Sequence, residues 1–188
     1  MAAKKQSAKA QKKKWFNLIA SPELGKVLIG ETPAFDVGLI KGRVVSVNMM
    51  ALTREPKKQS VTLKFRVTDV TGSDAQTELI KYELSSVFVK RLVKKARDKI
   101  DDSFILETKD KLKVRIKPLL LTRVKTNNKK LTSLRMKARE LILGIAQEKS
   151  YSELVIMILR GELQRSLRSG LKKIYPLSCS EIRVLQRL

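Results

Sequence analysis

No histidine occurs in this 188-residue chain, and only one cysteine, Cys179. The missing imidazole excludes Ser-His-Asp and Cys-His nucleophile systems, HExxH zinc sites and histidine general-base chemistry. A single cysteine excludes an internal disulfide and is consistent with a reducing cytosol. Without histidine it also excludes zinc knuckles and zinc fingers. Cys179 precedes an apolar strand and has no base to activate it, so a packed thiol is expected. The only adjacent acidic pair, Asp101 and Asp102, falls at a predicted helix–strand connection, where aspartate serves turns; a carboxylate-only metal site of the nuclease kind would have to be built there. Phosphate loops are absent, since "LGKVLIG" offers Gly25 and Lys26 without the spacing or the following Ser/Thr. No apolar run approaches the length of a bilayer span, and the N-terminus lacks the apolar core of a signal peptide. The start, "MAAKKQSAKAQKKK", also lacks the large apolar anchors of a lipid-docking helix. The chain is therefore expected to be no enzyme, to hold no metal or cofactor, and to have no membrane partner.

Acid is scarce as well. Against 41 Lys plus Arg stand 18 Asp plus Glu, a net charge of +23. Such a chain repels itself and attracts polyanions, whereas ordinary soluble domains keep the signs nearly balanced. With 43% hydrophobic residues it can bury a core and is not merely a basic tail. The excess is spread out. Residues 1–14 carry six lysines and no acid, and residues 111–130 carry eight basic side chains and no acid. Further clusters lie at Lys90, Arg91, Lys94, Lys95, Arg97 and Lys99, and at Arg160, Arg165, Arg168, Lys172 and Lys173. A DNA reader with one footprint concentrates its charge on one face; this distribution fits a protein surrounded by nucleic acid on several sides.

The stretch "KLKVRIKPLL" shows the problem locally. Lys111, Lys113, Arg115 and Lys117 alternate with Leu112, Val114 and Ile116, which is the period of a strand. Neighbouring cations on its face stand about 6.6 Å apart and repel by about 0.6 kcal/mol in bulk water before screening. Three such pairs oppose folding by roughly 2 kcal/mol at low salt. Two readings fit: an edge strand guarded by lysines against aggregation, or an anion seated along the row.

Along the chain, residues 1–14 form a disordered or extended basic tail, which Trp15 is expected to anchor by packing in the core. "LIKGRVVSVNMMAL" (39–52) reads as a strand with a bulge at Gly42. "SVTLKFRVTDV" (60–70) places Val61, Leu63, Phe65 and Val67 on one side; "TGSD" is turn chemistry, and 75–84 is the returning strand of a hairpin. Residues 85–99 have helical spacing, with Val89, Leu92, Val93 and Ala96 on one stripe. A short strand at 103–109 precedes the basic strand, which runs to about residue 125 with an edge, bulge or bend at Pro118. "TNNKK" reads as a loop and 133–149 as a helix. Ser150 with Glu153 forms a capping box opening a second helix, a third covers about 161–170, and a strand closes the chain near 180–187. The fold class is α+β: a β-barrel-like core of about six to seven strands with appended helices. Its domains are a tail (1–14), a β-rich region (15–130) and a helical section with the closing strand (131–188). No internal repeat is visible.

With catalysis excluded, binding remains. Nine aromatic residues are too few for a base-stacking platform, since Phe65, Phe88, Phe104 and Tyr151 sit where the core needs them. Recognition is then by phosphate, which reads folded RNA shape more than sequence. The candidate RNA-binding residues are Lys12, Lys13, Lys14, Lys41, Arg43, Lys111, Lys113, Arg115, Lys117, Arg123, Lys125, Lys129 and Lys130.

"KKKWFNLIAS" (12–21), "GLIKGRVVSV" (38–47) and "KKIYPLSCSEIRVL" (172–185) together resemble the archaeal–eukaryotic small-subunit ribosomal protein family called S-three-Ae. The basic run into Trp15, the Lys41-Gly42-Arg43 element and the Ile174-Tyr175-Pro176-Leu177 stretch stand in that family's order and separation. The resemblance implies a structural constituent of the small ribosomal subunit, cytoplasmic, lodged on the platform near the messenger exit. Its implied partners are small-subunit ribosomal RNA, neighbouring ribosomal proteins and messenger RNA near the exit, with no homo-oligomer. It also implies a β-barrel core with appended helices and RNA-facing roles for the tail lysines and Arg43. The chain ends at Leu188 without the C-terminal extension of eukaryotic members, which points to an archaeal source. A freestanding nucleic-acid binder, such as a chromatin protein or RNA chaperone, is the alternative.

Overall fold

Alternating apolar residues build most of the strands, and the buried positions follow that alternation. The computed structural model describes residues 12–188. Nine strands and five α-helices are present among them. The chain divides into two compact units, the first formed by Met1–Val45, as far as it is described, with Arg66–Glu78, the second by Ser46–Phe65 with Leu79–Leu188.

In the first unit, β1 (Lys14–Ile19) lies antiparallel to β2 (Leu28–Ala34), with Trp15 opposite Pro33 and Asn17 opposite Glu31. β1 also runs parallel to the start of β5 (Asp74–Leu84), with Asn17 opposite Asp74. Phe16, Leu18, Ala34, Ile40, Val67 and Ala75 form its core. Strand period decides between the adjacent aromatics: Phe16 is 4% exposed, whereas Trp15, expected in the core, is 63% exposed. The long strand expected over 39–52 is broken up. Val37–Leu39 is a 3-10 turn, Gly42 takes φ +80°, and β3 covers only Val44–Asn48. Gly42 supplies a left-handed conformation that a side chain resists, so it turns the chain rather than bulging a strand. In the second unit, the Asn48 side chain accepts the Met50 N–H at 2.9 Å and caps α1 (Met49–Thr53).

β4 (Val61–Thr71) and β5 form the expected hairpin and pass through both units. Gly72, at φ +64°, makes the tight turn. α2 (Ser86–Leu92) stops well before residue 99: Val93 is already extended and Ala96 exposed, so the expected stripe stops at Leu92. The chain turns there to enter β6 (Lys99–Asp101).

In the second unit β8 (Lys113–Thr122) is the organising strand. On one side it pairs with β9 (Leu177–Arg187), on the other with β6 and β7 (Phe104–Glu107). β9 in turn pairs with β5. The strand order β2-β1-β5-β9-β8-β6 describes an open sheet, so the expected barrel does not close. Alternation reveals a strand's buried face but says nothing about which edges meet. Strands β1, β2 and β6 are additional to the expected ones; Gly30 and Pro33 interrupt β2, and β6 has three residues.

Three helices follow. α3 (Asn128–Glu148) begins five residues before its predicted start, absorbing the "TNNKK" segment from Asn128 onward. It buries Leu134, Ala138, Ile142 and Ala146 at a spacing of four. α4 (Tyr151–Leu159) opens on the capping box of Ser150 and Glu153, and α5 (Glu162–Leu171) buries Leu163, Leu167 and Leu171. Leu134, Ala138 and Leu171 pack on Ile100, Leu120 and Leu177 of the strands.

Candidate nucleic-acid interface

β8 is interior to the sheet, bonded on both sides, so an aggregation guard, which belongs on an edge, does not account for its cations. Val114 and Ile116 are fully buried, and Lys113, Arg115 and Lys117 project from the opposite face. Lys111 leaves the row: at φ 58° it sits in the β7–β8 turn, donating its N–H to the Thr108 carbonyl at 2.8 Å. The register breaks between Lys117 and Pro118, which puts the missing N–H of proline at a bulge.

That break has a consequence for β9. Lys117 lies opposite Val184 and Pro118 opposite Ile182, so Arg183 is the extra residue of the bulge. Its Nη1 reaches the Asp101 carboxylate at 2.9 Å, which also accepts Lys99 Nζ at 2.9 Å. Asp102 accepts the Arg139 guanidinium through both oxygens at 3.0 Å. The adjacent aspartates therefore serve different cations, and no group of three metal-ligating side chains stands together among the described residues.

The neighbours of the row supply little negative charge. Glu107 stands opposite Lys113, and Glu83 is taken by Lys81 at 2.6 Å. Among the described residues, Lys113, Arg115 and Lys117 have no carboxylate within 4.0 Å. Lys81, Glu83, Lys90, Lys117 and Arg183 line a cavity of about 630 Å³ on this face. Lys81, Lys90 and Arg183 were not among the sequence candidates. Their convergence follows from cross-strand register, the bulge and the placement of α2 (Lys90), none of which leaves a local signal.

The other candidates occupy separate places. Lys12, Lys13 and Lys14 are exposed at the start of β1, with Lys13 Nζ 5.4 Å from the centre of the Phe35 ring. The rest of the tail lies outside the described residues. Lys41 pairs with Asp69 at 3.2 Å. Arg43 is half-buried and donates to Thr32 Oγ1 and to the Pro33 carbonyl, so its guanidinium ties β2 to the turn after Gly42. Arg123, Lys125, Lys129 and Lys130 are exposed between the end of β8 and the first turn of α3. That turn holds no acid, although the partial positive charge of a helix start disfavours cations. Lys130 Nζ sits 5.4 Å from the centre of the Tyr175 ring.

Burial also shifts two ionisable groups, Tyr82 and Glu181. Burial pushes the Tyr82 phenol well above its ordinary value, with the charge of Glu181 adding to the shift. Burial alone raises the Glu181 carboxyl. No described helix is long and apolar enough to cross a membrane.

The Ribosomal S3Ae family model matches residues 1–187. Small ribosomal subunit protein eS1 of Methanocaldococcus jannaschii is 33% identical over 90% of this chain and 76% of its own length. The protein of the same name from Nanoarchaeum equitans is 34% identical, covering 94% and 89% respectively. That of Methanothermobacter thermautotrophicus is 35% identical over 92% and 88%. The family model runs through the segments opening at Lys12, Gly38 and Lys172, and the chain belongs to the ribosomal S3Ae family.

Proposed function

We propose that this protein is a cytoplasmic structural constituent of the small ribosomal subunit, binding folded ribosomal RNA on the platform near the messenger exit. Its partners there are ribosomal RNA, neighbouring ribosomal proteins and messenger RNA close to the exit. It binds mainly through phosphate contacts, made by Lys12, Lys13, Lys14, Lys113, Arg115, Lys117, Arg123, Lys125, Lys129 and Lys130, with Lys111, Lys41 and Arg43 at the margins. The relatives' printed name supports the location in the subunit. The observation that carries the binding mode is the unpaired cation row on an interior strand. Buried apolar side chains hold that strand from beneath, so the row stands rigidly on the sheet. A rigid line of cations recognises a line of phosphates at low entropic cost.

Sucrose-gradient fractionation of a cell extract at moderate salt tests the assignment. Stoichiometric protein in the small-subunit peak is expected. Protein confined to the top of the gradient returns the chain to the freestanding-binder reading.

A further inference from the structure

A second basic site is built at the other end of β8. Lys99 of β6 faces Leu121 of β8, so Arg97 and Arg123 flank the same end of this antiparallel pair. β9 enters there too: Thr122 lies opposite Leu177, and the Arg123 N–H donates to the Pro176 carbonyl at 3.2 Å. α5 terminates at the same corner, with Arg168 in its last turn and Lys172 at its C-cap. Arg97, Arg123, Arg168 and Lys172 line one cavity of about 470 Å³, and no acidic side chain lines it.

The chain does nothing to neutralise these charges. None of the four makes an ion pair among the described residues. The nearby Asp98 carboxylate accepts the Thr126 N–H at 2.7 Å. Burial, with the charge of Glu181 adding, pushes the Cys179 thiol up to about 11, so no thiolate forms beside them at neutral pH. The negative end of α5 accounts for Arg168 and Lys172. It does not account for Arg97 and Arg123, which arrive on separate connections. Guanidinium groups bind phosphate through paired N–H donors, and here three guanidiniums and an ammonium share one concavity.

We infer that this corner is a phosphate-binding site that takes the sugar–phosphate backbone of folded RNA where two phosphates come close together. The inference rests on the ribosomal RNA reading above and adds a second contact, distinct from the β8 row.

Equilibrium binding of the full chain to small-subunit ribosomal RNA across a salt series tests it. The variant Arg97→Gln/Arg168→Gln/Lys172→Gln should flatten the log–log salt slope by about 1.4–1.8, at 0.7–0.9 for each of the two phosphates. The charge-keeping variant Arg97→Lys/Arg168→Lys/Lys172→Arg should keep the parental slope, and thermal melts matching the parent show that both variants are folded. A triple-glutamine variant with the parental slope, while the parent binds, overturns this site and leaves the ribosomal RNA reading standing. A parent that does not bind the RNA overturns both.

Discussion

Arg115 occupies the middle of the β8 row, and removing its charge separates two effects that composition alone confounds. Lys113 and Lys117 each stand about 6.6 Å away along the strand. Each pair repels by about 0.6 kcal/mol in water, so the central guanidinium carries about 1.2 kcal/mol of unfavourable energy at low salt. The row holds two such pairs rather than three, because Lys111 sits in the turn. Lys113 differs from Arg115 in having Glu107 opposite, an attraction that offsets its single repulsion. Arg115→Met keeps an unbranched aliphatic stem over the half-buried surface and removes the charge. Urea denaturation of the isolated protein should then show the variant more stable than the parent by about 1 kcal/mol at low ionic strength. At about 1 M salt the Debye length falls to roughly 3 Å, and the difference should vanish. Lys113→Met should have little effect in either condition. The affinity of Arg115→Met for ribosomal RNA should move the opposite way, with a salt slope flatter by about 0.7–0.9. An Arg115→Met protein that is less stable than the parent at low salt, by an amount indifferent to ionic strength, would refute the reasoning and make Arg115 a packing residue.

The Tyr151 hydroxyl is buried and donates to the Leu79 carbonyl at 2.9 Å, so Tyr151→Phe should lower stability by about 1–3 kcal/mol by stranding that carbonyl; a urea titration reads it. Ser150→Ala removes the capping box of α4 and should cost about 1 kcal/mol. The backbone N–H of Ser150, aided by its side chain, holds the Glu153 carboxyl below its ordinary value. A carboxyl lowered on folding adds stability above its unfolded-state value and loses it as pH falls through the folded one. The parent should therefore lose stability through the acidic carboxylate range, and Glu153→Gln, followed by thermal melts at stepped pH, should lose less of it.

Local pattern carried as far as local causes act. The β4–β5 hairpin was legible because strict alternation and "TGSD" agree, and the α4 start because its capping box lies within four residues. The start of α3 was not legible. Its cap, Asn127, makes no side-chain bond, and Lys129 and Lys130 sit where the helix field opposes them. Residues 93–98 continue a helical stripe on paper, yet Val93 is extended, because the chain must turn to deliver Ile100 to β8. Between Trp15 and Phe16, a one-residue choice of register sent the smaller ring inward. Arg43, expected to face RNA, also donates to Thr32 and to the Pro33 carbonyl, partners that only the fold brings beside it.

The sequence by itself determined the excess of positive charge, the absence of histidine chemistry and the alternation of cation with aliphatic along β8. These depend only on which residues are present and on the two-residue period of extended chain. Tertiary structure alone decided that β8 is interior, that Lys111 leaves its row, that a bulge turns Arg183 toward Asp101, and that Arg97, Arg123, Arg168 and Lys172 share one corner. Positions so far apart in the chain meet only through strand register and the termination of α5, and register is settled by the packing of the whole sheet rather than by any stretch within it.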